Sequence, residues 1–376
     1  MQCTGRIPAW LAAILVLAVC TVPPGCVAAK KPLVIGYMGG LSGRTTDLGI
    51  AGRDGALLAV EDVNAAGGVD GRDVMLMPVD DAQDATAAAA AFDRLDQAGA
   101  LAIIGPMTSA VAVVVAPLAK QRGIPVVSPT TSTDALTGIR DWFFRLYPDN
   151  SSAAKELANV VRTELGHSRV AMIYDLSNRA HTETWARNFD SAYEGIGGSV
   201  VALEPIMSGR VDEYDEAVKG ALGVEPDCVF VLANSLDTAR LASLIRARGY
   251  DGHIITSEWS ATEVVIGYGG RAVEGLLFLN TFDRESTSEQ YVDFARRFRE
   301  RFGYEAGFAS VHAYDATRLV LSEAVNVRTR DELEVELDAL RSYVGVQGPL
   351  EFDANGDVAR VYHLMTIRDG EFVRAD

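Results

Sequence analysis

The sequence predicts an α/β protein of two lobes, each a mainly parallel sheet flanked by helices, with a multi-strand hinge between them. Three observations lead there: apolar β-branched runs alternate with helix-like stretches, the alternation occurs twice along the chain, and three segments suit passage from one unit to the other. Alternation of this kind implies parallel strands joined by right-handed crossovers.

The first element is a leader. Arg6 precedes an apolar run from Ile7 through Val22, broken by Pro23, Pro24 and Gly25 and followed by Val27-Ala28-Ala29. This is the layout of a secretory signal over residues 1–29, cleaved after Ala29, which directs the product to the periplasm. A run of about 15 apolar residues also falls short of the roughly 20 that a bilayer span needs. Cys26 after Gly25 leaves open a lipid-anchored alternative, although the two prolines before it suit an acylation site poorly.

Cleavage there would leave Cys228 as the only cysteine, so no internal disulfide forms and stability rests on packing. About 347 residues remain, too many for one ordinary core, which argues for two compact units. The 51 acidic residues against 34 basic ones give a net charge of −17. That balance argues against nucleic acid or an anionic membrane surface as a partner.

Leu33 to Tyr37, Val74 to Val79, Leu101 to Ile104 and Pro125 to Ser128 read as the strands of the first series. Between them, Leu48 to Ala66 is a helix stopped by Gly67-Gly68, and Asp84 to Gln97 carries five consecutive alanines that favour helix. A second series has strands at Val170 to Tyr174, Val200 to Leu203, Val229 to Leu232 and Ile254 to Thr256. Three helices follow, Ser288 to Phe302, Phe308 to Val325 and Asp331 to Tyr343, then Leu350-Glu351-Phe352 and a terminal hairpin. Helices without strands make no domain of their own, so these are expected to complete the first lobe. The crossings are then Arg145 to Pro148, Leu279 to Phe282 and Val346 to Pro349. The lobes would comprise residues 30–146 plus 281–348 and residues 147–280 plus 349–376. Several strands between lobes make a hinge that permits closure.

In order and spacing, several short motifs resemble those of the periplasmic substrate-binding proteins of ABC importers, of the branched-chain amino-acid-binding type. They are Ile35-Gly36 through Leu41-Ser42-Gly43, Asp62-Val63-Asn64-Ala65-Ala66-Gly67-Gly68-Val69, Asp80-Asp81, Ile104-Gly105-Pro106, Gly123-Ile124-Pro125, Ser128-Pro129, Glu274-Gly275 and Ala313-Tyr314-Asp315-Ala316. The resemblance implies the type I periplasmic binding fold and an extracytoplasmic receptor, expected to be monomeric. Such a receptor holds a small amino acid or related carboxylate in the interlobe cleft and passes it to a membrane permease.

The resemblance also implies a site. Ser109 matches a serine whose hydroxyl and backbone N–H meet the ligand carboxylate, at a helix start whose free N–H groups and dipole suit an anion; read alone, it is equally an N-cap. Thr130 matches a position whose carbonyl accepts from the ligand ammonium, and Ser132 a hydroxyl that bonds ligand. Glu258 matches the carboxylate that pairs with the ammonium, which a buried ammonium requires. Trp259 and Phe308 offer apolar walls, although aromatics are as often core.

There are departures. The family's covering tyrosines fall near Leu48 and Asn234 here, with Asn234 expected to bind ligand in the tyrosine's place, and its cysteine pair falls at Gln83 and Thr108. Arg179 and His181 stand where another tyrosine covers ligand. Arg179 could take a second carboxylate, which opens the alternative of a small organic or aromatic acid without an ammonium. A ligand-sensing regulator of the amide-sensor type is a further alternative, argued against by the leader.

No enzyme is expected, and neither cofactor nor metal. The five histidines are scattered, and His181-x-Glu183 is one half of a zinc-deaminase signature without the paired cysteines. No G-x-S-x-G, P-loop or G-x-G-x-x-G occurs.

Overall fold

The computed structural model describes Gln2 and residues 30–375. The leader and the alternative at Cys26 lie outside the described residues.

In the first lobe strand and helix alternate as far as the fourth strand, which passes to the fifth without an α-helix. It runs β1 (Leu33–Gly39), α1 (Asp47–Ala65), β2 (Val74–Asp80), α2 (Ala85–Gln97), β3 (Ala102–Ile104), α3 (Ser109–Arg122), β4 (Val126–Ser128) and β5 (Phe143–Arg145). The sheet order is β2-β1-β3-β4-β5, parallel throughout. Its strands are short and almost wholly apolar because helices cover both faces.

The second lobe opens with α4 (Asn150–Asn159) and continues through β6 (Arg169–Asp175), α5 (Arg179–Gly195), β7 (Ser199–Ile206), α6 (Val211–Gly223) and β8 (Cys228–Leu232). It goes on with α7 (Ser235–Ala247), β9 (His253–Thr256), α8 (Glu263–Gly269) and β10 (Leu277–Asn280). The chain then returns to the first lobe for α9 (Glu289–Phe302), α10 (Phe308–Glu323), α11 (Arg330–Ala339), β11 (Ser342–Gly345), β12 (Gly348–Phe352) and β13 (Val358–Ala359). A final hairpin, β14 (His363–Arg368) and β15 (Glu371–Arg374), completes a sheet of order β15-β14-β10-β9-β8-β6-β7.

The late helices pack into the first lobe. Phe294, Phe298, Phe308, Val311, Ala316 and Val320 share one core cluster with Ile35, Tyr37 and Val60. Helix α10 approaches α1 so closely that a Cβ on Gly55 would collide with the Ser310 carbonyl oxygen, so only glycine fits there. Cys228 is buried and unpaired in β8, and burial pushes its thiol pKa up.

Three expectations need correction. The helix expected to reach Tyr343 ends at Ala339, because Leu340 turns extended and Arg341 donates to the Asp338 and Leu340 carbonyls at 2.7 and 2.6 Å. Ser342 to Gly345 then pairs antiparallel with β12, as β-branched and aromatic residues favour. The second crossing begins after Asn280 rather than at Leu279, since Leu277–Asn280 is a strand of the second sheet.

The third crossing is the largest change. Leu350 and Val358 lie in the first lobe's core, so the chain crosses near Arg360 rather than over Val346 to Pro349. Arg360 Nε donates to the Leu146 carbonyl at 2.8 Å, tying the last crossing to the first. Short helix α4 and strand β5 are additions to the elements expected from sequence.

Candidate functional site

Parallel sheets place ligands outside the carboxyl ends of their strands where strand order reverses. In the first sheet that point lies between β1 and β3. The loop after β3 contains Gly105, whose φ of +109° and close approach to the Met38 carbonyl oxygen admit no side chain. Helix α3 begins directly after it.

The loops after β3 and β4 are bound side by side. Ser128 Oγ donates to the Pro106 carbonyl and pairs with Thr131 Oγ1, both at 2.7 Å, and Thr130 Oγ1 donates to the Met107 carbonyl at 2.7 Å. Ser132 N donates to Ser109 Oγ at 3.4 Å. Ser109 is the first residue of α3 rather than its N-cap, which is Thr108. Thr108 Oγ1 is buried without a hydrogen-bond partner.

The second lobe brings two turns against this floor. After β9, Thr256 Oγ1 donates to the Val231 carbonyl at 2.8 Å and pairs with Ser260 Oγ at 3.0 Å, which holds the turn carrying Glu258 and Trp259. After β6, Asp175 Oδ1 accepts from the N–H groups of Ser177 and Ser208, both at 2.9 Å, and fixes the turn that ends in Asn178.

Across the cleft, Asn178 Oδ1 accepts from Ala110 N at 2.9 Å, so an amide oxygen of one lobe occupies an N–H at the helix start of the other. Ser132 Oγ lies 3.0 Å from His181 Nδ1 and 3.4 Å from Glu258 Oε1. His181 Nε2 lies 3.2 Å from Ser257 Oγ, and its ring meets Trp259 edge-on with centroids 5.5 Å apart. These elements line a narrow cavity together with Leu48, Met107, Thr108, Ser109, Thr130, Asn178, His181, Glu258, Trp259 and Phe308.

The electrostatics of the cavity are dominated by burial. Loss of hydration raises the Glu258 carboxyl to about 7, an effect the Ser132 hydrogen bond only partly opposes. Burial likewise lowers His181 to about 3, so its imidazole is neutral at physiological pH. Among the described residues Glu258 has no cationic partner, and neutral His181 supplies none. Trp185 is buried nearby, and its indole N–H also opposes part of the rise at Glu258.

Of the eight residues expected to bind ligand, Ser109, Thr130, His181, Glu258 and Trp259 line the cavity, and Ser132 hydrogen-bonds His181 and Glu258 from behind it. Two are elsewhere. Arg179 is the first residue of α5, and its side chain, 66% exposed, pairs with Glu183 one turn on, so it does not face the cleft. A helix of 3.6 residues per turn puts Arg179 and His181 on different faces, and only His181 turns inward.

Asn234 caps α7 by accepting from Asp237 N at 3.0 Å, and its Nδ2 donates to Asp237 Oδ2 at 2.8 Å. It belongs to a cluster at the cleft rim. There Arg44 Nη2 lies 2.8 and 2.9 Å from the two Asp237 oxygens and 2.9 Å from Ser208 Oγ, and Asp47 Oδ2 accepts from Ser235 Oγ at 2.6 Å and from Thr262 Oγ1. Sequence reasoning did not single out Asn178, Met107 or Arg44. The Asp175-x-x-Asn178 spacing is a turn signal that marked the first of these; no local pattern marks the other two.

A floor built from helix-start N–H groups and hydroxyls faces a roof carrying an unpaired buried carboxyl, an arrangement with room for polar contacts between two lobes. The chain belongs to the periplasmic binding protein family, which it matches over residues 32–371. It is 23% identical over 352 residues to a Leu/Ile/Val-binding protein homolog of Brucella melitensis, covering 92% of this chain and 94% of that one.

Among solved structures, it is similar to a branched-chain amino acid transporter substrate-binding protein of Streptococcus pneumoniae in complex with isoleucine. That match has TM-score 0.85 and 25% identity, and covers 91% of this chain and 97% of the other. It is also similar to a solute-binding protein of an ABC transporter from R. palustris in complex with benzoate, with TM-score 0.82, 20% identity, and 91% and 95% coverage.

Proposed function

We propose that this protein is the extracytoplasmic receptor of an ABC importer, and that it closes on a small amino acid held by both its charged groups. The observation that carries this reading is Glu258: a buried carboxyl on the wall of a narrow cavity, with a hydroxyl neighbour and, among the described residues, no cation. Ionising it there is costly unless a cation arrives to pair with it. A ligand ammonium is such a cation, and the start of α3 suits the carboxylate at the ligand's other end. Ser109 Oγ and the unpartnered Thr108 Oγ1 add hydroxyl groups at that end.

Binding first engages the carboxylate on the first lobe. Closure then brings Glu258 and His181 over the ligand, and the closed form is what a permease would recognise. The alternative of an acid without an ammonium drew on Arg179, which pairs with Glu183 in solvent.

Isothermal titration of the purified protein with leucine, isoleucine and valine, beside the same acids lacking the amino group, tests the reading. Binding confined to the amino acids is expected, whereas a preference for the des-amino acids would overturn it.

A further inference from the structure

We propose that His167 and His253 form a two-histidine site for a divalent transition-metal ion, at the edge of the second lobe opposite the cleft. The five histidines are scattered in the sequence, and folding brings these two together. His167 Nε2 lies 2.8 Å from His253 Nδ1, with ring centroids 5.0 Å apart. Two imidazole nitrogens, each about 2.0 to 2.1 Å from one metal ion, stand roughly 2.8 to 3.4 Å from each other, depending on the bond angle. The pair is therefore already spaced for a single ion.

The backbone fixes that spacing. Strands β6, β8 and β9 are parallel neighbours, with Val170 opposite Cys228 and Cys228 opposite His253. His253 opens β9, and His167 stands two residues before β6 in a turn closed by its own N–H on the Val161 carbonyl at 3.0 Å. Asp227, immediately before the middle strand β8, accepts through Oδ2 from Ser168 N and Arg169 N at 2.8 and 3.0 Å. That carboxylate ties the His167 turn to β8 and adds a negative charge at the same edge. The Arg169 guanidinium is engaged by the Val224 carbonyl at 2.6 Å.

His253 is exposed and His167 partly so, which leaves both nitrogens open to an ion from solvent. Cys228 adds no ligand, because its side chain is buried among Phe230, Leu232 and Ile255. Among the described residues no three His, Cys, Asp or Glu side chains gather as metal ligands, so water completes the coordination of this pair. Imidazole suits copper, nickel and zinc, with copper the tightest of the divalent series, and a net charge of −17 favours cations in general. Binding groups for the cleft stand at the carboxyl ends of the strands, so this edge, at the amino ends, is separate from it.

Calorimetric titration of tag-free protein with the chlorides of copper(II), nickel(II) and zinc(II) tests the site, with nitrogen hyperfine coupling in the copper spin-resonance spectrum as a second reading. One saturable equivalent is expected, tightest for copper. His167→Ala and His253→Ala should each weaken it about tenfold or more, since even changes outside the ligand shell cost roughly that much. His363→Ala, which removes a histidine at the start of β14, should leave it unchanged. His253→Gln keeps a side chain able to hydrogen-bond His167 but removes the imidazole, so it should lose the ion while its metal-free melting temperature stays that of the wild type.

A wild type without saturable binding of any of the three ions overturns the inference. So does binding that survives His167→Ala or His253→Gln with its copper nitrogen coupling intact, or binding that falls equally in His363→Ala.

Discussion

The interior of the cleft and its rim both join the lobes, and they do so in opposite ways. At the rim the charges are matched within the protein: Arg44 reaches both oxygens of Asp237, whose side chain is fully buried, with Asn234 and Ser208 bonding the same carboxylate. In the interior, among the described residues, Glu258 has no cation, Thr108 Oγ1 has no partner, and His181 is neutral. Buried polar groups without partners cost free energy, so on the proposed function the interior is the part of the interface that a ligand would complete. The rim would then help to close the lobes whatever is bound, and the interior would make closure selective.

Glu258→Gln should have the largest effect. It removes the charge that would pair with an ammonium and should weaken amino-acid binding by about 2 kcal/mol, or roughly 30-fold, read by isothermal titration. Retained affinity would dissolve the contrast between interior and rim.

The next largest effect is one of pH. With its carboxyl raised to about 7 by burial, unliganded Glu258 must release its proton before pairing with an ammonium. Affinity should therefore fall as pH drops below 7, up to about tenfold per unit, with proton release on binding seen by titration in buffers of different ionisation enthalpy. Glu258→Gln should remove that slope. In the unliganded protein the sign for stability is the reverse. Between 4.5 and about 7 the native state keeps a proton that the unfolded chain has lost, so this group's contribution falls as pH rises through that window.

Ser109→Ala should cost about 1 kcal/mol of ligand affinity, because one hydroxyl is lost while the helix-start N–H groups remain. Arg44→Ala tests the rim. It should weaken binding a few-fold and increase the radius of gyration of the unliganded protein in X-ray scattering, by releasing an interlobe ion pair worth about 1 kcal/mol at a partly exposed site. Arg179→Ala should change neither affinity nor shape, since its partner Glu183 is on its own helix.

Much of the fold was legible in the sequence, because parallel strands covered on both faces are written as apolar runs such as Val229 to Leu232, and long helices as periodic stretches such as Phe308 to Glu323. The legible part of the candidate site followed from motif order: Thr130 and Ser132 in a loop, Ser109 at a helix start and Glu258 in a short helical turn all come just after strands, where α/β sheets present binding groups. Arg179 and Asn234 read the same way, yet face solvent and the rim. The facing of a residue in a helix's first turn depends on where that helix starts, which local composition specifies only to within a residue or two.

The amino-acid sequence by itself thus determined the doubled α/β architecture, the return of the late helices to the first lobe, and the loops that carry the polar anchors, because periodicity and loop chemistry are local properties. Only the tertiary structure decided that Asn178 meets the start of α3, that Glu258 lacks a cation among the described residues, and that Arg44 closes on Asp237. Each of those is a relation between segments distant in the chain, created when the lobes pack and water is excluded between them.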